Sequence, residues 1–166
     1  MDRVVRVLKL LQKSQPVSRG TIQTIFKYTP YDEVKRLGLP ASYEETLRRE
    51  KPAGTGLLVV GQVIPRGPSA NILESGDILL KINDRFLTTF VDLEGVTDEQ
   101  VGKTVKLLLQ RGERTLHVDI SVQDLHSITP DRYVEVGGGV LHELSYQMAF
   151  RYVFSRIFVP PHSALT

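Results

Sequence analysis

The segment from Gly56 to Asn83 constrains the fold more than any other part of the chain. Gly56-Leu57-Leu58-Val59-Val60 opens an apolar run that continues to Ile64, and Asp77-Ile78-Leu79-Leu80-Lys81-Ile82-Asn83 forms a second. Short apolar runs bounded by Gly and Pro read as strands. Gly76-Asp77 supplies a tight turn into the second run, because glycine reaches backbone conformations that a Cβ forbids and aspartate bonds its own backbone. Gly67-Pro68 predicts a turn or short helix ending near Leu73.

The flanks add elements of both kinds. Thr104–Gln110 and Thr115–Val122 border Arg111-Gly112-Glu113-Arg114 and predict a hairpin. In its second arm Leu116, Val118, Ile120 and Val122 alternate with His117, Asp119 and Ser121, so one face is apolar. Asp92–Val101 reads as a helix. Gly20–Tyr28, rich in β-branched and aromatic residues, reads as a strand opened by Arg19-Gly20. Two helices follow it. The first has Thr29 as N-cap and Pro30 at its first position, and Gly38 and Pro40 end it. The second carries the Ser42/Glu45 capping-box spacing and runs to about Glu50. Residues 2–12 are predicted to be an amphipathic helix that docks through Val4, Val7, Leu8 and Leu11, with Arg6, Lys9 and Lys13 off that stripe. From Asp124 the texture changes. Ser127–Asp131 reads as a connector, Tyr133–Val136 as a strand, Gly137-Gly138-Gly139 as either tightly turned or a flexible joint, and Ser145–Arg156 as a helix.

The 166 residues provide for one domain with appendages, and 41% hydrophobic with 24% charged residues is the balance of a globular protein. The net charge of +2 is interspersed, without the basic stripe of a nucleic-acid reader. No apolar run reaches the roughly 20 residues a membrane span needs. The absence of cysteine excludes thiol catalysis, thiolate metal sites and disulfides.

Leu73-Glu74-Ser75-Gly76-Asp77-Ile78-Leu79-Leu80-Lys81-Ile82-Asn83, preceded by the Gly67-Pro68-Ser69-Ala70 turn and the Gly56–Val60 strand, resembles the core of a PDZ domain. The element order is similar to the PDZ domains of HtrA/Deg serine proteases, where the ligand-binding strand precedes the Gly-Asp strand. Arg19–Gln23 and Asp124–Asp131 resemble a narrower group, the fungal nuclear HtrA-like proteases and their plant chloroplast relatives. This resemblance implies an α+β fold, a partly open β-barrel or sandwich with capping helices, a flanking helix and a C-terminal extension. It implies residues 1–18 as a linker helix from a preceding protease unit and 19–123 as the PDZ domain. Residues 124–166 would then be a connector and the truncated start of a degenerate protease unit. It also implies a place in proteolysis and protein quality control, in the nucleus or alternatively the chloroplast. The expected partners are extended or C-terminal peptides and the parent's neighbouring protease units, with self-association left open.

PDZ domains add a peptide as an extra strand on a sheet edge and receive its carboxylate in a nest of backbone N–H groups. The resemblance carries the loop to Gly20, Thr21, Ile22, Gln23 and Thr24, the docking edge to Ile25, Phe26 and Lys27, and the helical wall to Leu93 and Val96. Ile22 fits the family's loop pattern. Gln23 departs from it, standing where the family has glycine, and its side chain is expected to bar the positive dihedral of the nest. Three alternatives stay open: carboxylate capture, binding of internal segments, and a groove filled by the insertion helices or another part of the parent.

No catalytic site is expected. A protease triad needs a nucleophile loop, a base and oxyanion donors in reach, and no such loop is present. Ser127 and Ser145 have His126 and His142 near them in sequence only. The four histidines lack the spacing of a helical metal pair, and Gly54-Thr55-Gly56 precedes a strand instead of following one, so neither metal nor cofactor is expected.

Overall fold

The computed structural model describes residues 3–145. The helix expected at 145–156 lies outside them. The chain forms two compact units, residues 1–125 and 126–166.

In the first unit the order is α1 (Arg3–Gln12), β1 (Gly20–Thr21), β2 (Thr24–Pro30), α2 (Tyr31–Arg36), α3 (Ala41–Glu50), β3 (Gly56–Val63) and β4 (Ile78–Ile82). Then come β5 (Arg85–Phe86), α4 (Phe90–Glu99), β6 (Thr104–Arg111), β7 (Arg114–Ser121) and β8 (Gln123–Asp124). The main sheet runs β2-β3-β4-β6-β7, with β5 hanging on β4, and its strands pair antiparallel. The fold is α+β, as the resemblance implied.

The two apolar runs are continuous because β3 and β4 are covered on both faces. Leu58 and Val60 of β3 enter a core with Phe26, Leu93, Leu107 and Ile120. Their neighbours Leu57 and Val59 enter a second core with Tyr31, Val34, Leu39 and Leu47 from the α2–α3 insertion. On β4 the register slips between Leu79 and Lys81 against β6. That bulge returns Ile82 to the face of Leu79, while Ile78 and Leu80 serve the second core.

Several boundaries shift for local reasons. Thr29 and Pro30 stay in β2, so Pro30 is the N-cap of α2 and no side chain caps it. Ser42 lies inside α3, whose N-cap is Pro40; its carbonyl accepts from Thr46 Oγ1 at 2.8 Å. The Gly67–Leu73 segment is a series of turns. α4 begins two residues early because Thr89 Oγ1 accepts from the Asp92 N–H at 3.2 Å. α1 docks by a side rotated from the expected one. Val4, Leu8 and Leu11 are exposed and Val7, the other residue of the expected stripe, is half-buried, while Arg6 reaches inward to the Asp98 carbonyl at 2.7 Å and to Ser18 Oγ at 3.2 Å. A guanidinium meeting a helix C-terminal carbonyl outweighs the apolar stripe there.

The insertion is held by charge as well as packing. Glu44 lies 2.8 Å from both Lys35 Nζ and Arg48 Nε. The hydrogen bond from Lys35, with a smaller contribution from Arg48, holds its carboxyl below the ordinary glutamate value of 4.5, against the opposing effect of burial. A depressed folded-state pKa stabilises above the unfolded value and loses that stability as pH falls through the folded one. Urea titrations should therefore show wild type losing more stability than Glu44→Gln between pH 6 and pH 3, a window of roughly the carboxylate range.

In the second unit β9 (Tyr133–Val136) and β10 (Gly139–His142) pair antiparallel. Gly137 and Gly138, at φ 57° and 79°, form their turn. The glycine run is thus a hairpin turn and not a flexible joint, because two successive left-handed residues are what a two-residue hairpin demands.

Candidate functional site

β2 is an edge strand. Its inner side pairs with β3 from Thr24↔Val63 to Pro30↔Gly56, and no strand pairs its outer side among the described residues. α4 runs beside it in the opposite sense, with its last turn against β1. A Cβ on Gly20 would lie 2.0 Å from the Thr97 carbonyl oxygen, so glycine is what lets strand and helix approach there.

Between them lies a groove of about 210 Å³. Ile22, Thr24 and Phe26 form its strand side, Phe90, Leu93, Glu94 and Thr97 its helix side, and Arg19, Gly20, Thr21 and Leu125 its end. None of residues 31–50 lines it. The α2–α3 insertion packs on the other face of the sheet, so it does not fill the groove.

The loop at the closed end is pinned from several sides. The Gly20 N–H donates to the buried Asp98 Oδ1 at 2.8 Å, and Arg19 Nε lies 3.6 Å from the same oxygen. Arg6 Nη1 is 3.8 Å from Asp98 Oδ2, which ties α1 to the same carboxylate. Buried Ser69 donates its hydroxyl to the Ile22 carbonyl at 2.8 Å. The Ile64 N–H donates to the Gln23 carbonyl at 3.0 Å.

Gln23 overturns one expectation. Its φ is +53°, so the side chain does not bar the left-handed conformation. A non-glycine residue there costs about 1–2 kcal/mol, and its surroundings offset that cost. The Gln23 N–H donates to Thr21 Oγ1 at 3.0 Å, its side-chain amide donates to Gln123 Oε1, and Gly67 leaves room for its Cβ. The left-handed residue that a backbone nest requires is present without glycine.

Of the residues singled out from sequence, Gly20, Thr21, Ile22, Thr24, Phe26 and Leu93 meet at the groove. Ile22, Phe26 and Leu93 also belong to the core, so each is wall and packing at once. Ile25 is 43% exposed, and Ile25 and Lys27 fall on the opposite side of β2 by strand alternation. Val96 is corrected. It lines a separate depression with Arg85, Phe86 and Leu87, because the groove face of α4 follows Phe90, Leu93, Glu94 and Thr97. Sequence reasoning missed Phe90 by starting the helix at Asp92, where Thr89 was the available signal, and missed Glu94 and Thr97, inside the expected helix, by taking Val96 for its inward face. Arg19 and Leu125 come from outside the matched loop. Leu125 is held there by its N–H, which donates to the Arg19 carbonyl at 2.7 Å beside the β1–β8 pairing.

Among the described residues no group of three or more His, Asp or Glu could hold a metal, and no helix is long and apolar enough to cross a membrane.

Comparison with known proteins agrees with this geometry. The PDZ domain model matches residues 37–122, and a PDZ-like domain model matches residues 127–157. The pro-apoptotic serine protease NMA111 of Pyricularia oryzae is 49% identical over 92% of this chain, and that of Neosartorya fischeri is 46% identical over 93%. The chain spans 15% of the length of these relatives. Among solved structures, an HtrA-type protease, AlgW with decapeptide, superposes with a TM-score of 0.54 at 19% identity, over 72% of this chain and 34% of that one. The chain belongs to the PDZ domain family.

Proposed function

We propose that this chain is the peptide-binding, regulatory PDZ module of a longer HtrA-like serine endopeptidase, and that it takes an extended segment as an added strand on β2. The observation that carries this reading is the outer edge of β2, unpaired among the described residues, beside α4 and ending at a loop whose Gln23 is left-handed. A ligand strand there completes the backbone hydrogen bonding of the edge, and alternate side chains turn into the groove. Ile22, Phe26 and Leu93 offer an apolar seat for the last residue. Arg19, 40% exposed at the groove's end, offers its carboxylate a cation.

The relatives named as serine proteases support the parent's activity, and AlgW with its decapeptide supports the ligand class. The parent's neighbouring protease units are the further proposed partners. Residues 124–166 would be the connector to the next of these, with a second PDZ-like unit as the other outcome of the match at 127–157. The fungal relatives favour the nuclear branch of the resemblance over the chloroplast one.

Fluorescence anisotropy with labelled decapeptides ending in an apolar residue tests this. The free acid should bind at least about tenfold tighter than the amide, the worth of one charge-assisted hydrogen bond. Equal binding of both would mean recognition of internal segments. No binding by either would move the reading to a structural spacer or intramolecular docking domain.

A further inference from the structure

The groove does not stop at its terminal pocket. Thr24, Phe26 and Tyr28 alternate along one face of β2, but only the first two line that pocket. Tyr28 instead forms a wall of a second cavity of about 540 Å³ at the opposite end of the strand. The first turn of α4 supplies Val91, the segment before it Thr88, and the loop between α3 and β3 supplies Pro52 and Ala53.

This cavity is built from fixed parts. The Tyr28 hydroxyl is bonded to Thr55 Oγ1 at 2.7 Å and accepts from the Thr55 N–H at 3.1 Å. The loop is anchored behind by α3, whose Leu47 is fully buried in the second core. In front, Lys51 Nζ lies 3.9 Å from Asp92 Oδ2, spanning loop and helix. Tyr28 and Val91 nevertheless expose 41% and 62% of their surface, an apolar wall that continues the groove face of β2.

Strand geometry says what reaches it. An added antiparallel strand pairs residue for residue with β2, and side chains of one face recur every second residue. Thr24 and Tyr28 are about 14 Å apart at roughly 3.4 Å per residue. The ligand residue opposite Tyr28 therefore lies four positions upstream of the residue opposite Thr24, on the same face.

With the ligand's C-terminal residue seated opposite Thr24, beside the closed end of the groove, we propose that this cavity is a second specificity subsite, which takes an aromatic or large aliphatic side chain four residues upstream of that residue. It rests on the strand-addition reading of the groove. Because the α2–α3 insertion brings the loop that forms it, this chain selects a longer ligand motif than the terminal pocket alone would define.

The test uses free-acid decapeptides with the same last residue and either phenylalanine or alanine placed in turn at the third, fourth and fifth upstream positions. Phenylalanine at the fourth should tighten binding to the wild-type chain about tenfold, and at the neighbouring positions by less than about twofold. Val91→Ser should reduce that preference to within about twofold while leaving the alanine peptide's affinity unchanged, and Tyr28→Ala should likewise remove the preference. Val91 is the safer variant for folding, being a surface residue, and an unchanged Tm checks it. Equal binding of phenylalanine and alanine peptides would overturn the subsite and leave the groove standing. A preference that survives both substitutions would also overturn it. Failure of every peptide to bind would instead remove the groove reading on which it rests.

Discussion

Gly20→Ala will abolish peptide capture and destabilise the first unit by about 2–4 kcal/mol, the combined scale of overpacking and a lost buried hydrogen bond. The added methyl would stand 2.0 Å from the Thr97 oxygen and 2.2 Å from its carbon. Those are backbone atoms, so no rotamer relieves the clash. β1 must move off α4, which takes the Gly20 N–H away from Asp98 and leaves that buried carboxylate short of a donor. The same movement opens the closed end of the groove. Urea unfolding and anisotropy on the purified variant read both effects. Wild-type affinity in this variant would show that the contact between β1 and α4 does not shape the site.

Arg111→Ala is expected to cost about 3–5 kcal/mol, the penalty for leaving a buried charge without its partner. The Asp77 side chain is fully buried and accepts from Arg111 Nε at 2.7 Å, Arg111 Nη2 at 2.8 Å and the Glu74 N–H at 2.9 Å. Arg111 also donates to the Ile72 carbonyl at 2.8 Å and to Glu74 Oε1 at 2.6 Å. One guanidinium thus fastens the end of β6 to the turn that feeds β4, and Asp77 in return raises the arginine's pKa further. Lysine keeps the charge but not the fork, so Arg111→Lys should fall between the two. Denaturant midpoints give the order wild type, lysine, alanine. Removing Asp77 as well should cost less than the sum of the single changes, since the orphaned charge goes with it.

The same residues show how far the sequence could be read. Strands β3, β4, β6 and β7 were legible because their signals are local: apolar runs, alternation, and Gly-Asp or Arg-Gly-Glu-Arg at the turns. Gly76-Asp77 was correctly read as a turn, but the reason Asp77 can be buried lies on Arg111, a partner distant in sequence and adjacent only in the sheet. α1 was legible as a helix and misread in orientation, because Asp98, which draws Arg6 inward, is nowhere near it in sequence. At the groove, the strand side followed from the loop pattern. The helix side followed only in part: Leu93 was placed correctly, but a step of three from it took Val96, where the groove face of α4 follows a step of four to Thr97, about 100° further round the helix. Gln23 was judged by intrinsic preference, which a local bond to Thr21 and a bond to Gln123, distant in sequence, override.

The most direct measurement is an amide NMR titration of the chain with decapeptides offered as free acid and as amide. Shifts confined to residues 20–28 and 90–97 and lost on amidation are the expected result, and they would establish strand addition with carboxylate capture beside Gln23. Shifts centred elsewhere, or none at saturating peptide, would contradict it and leave this PDZ domain as a spacer within its parent.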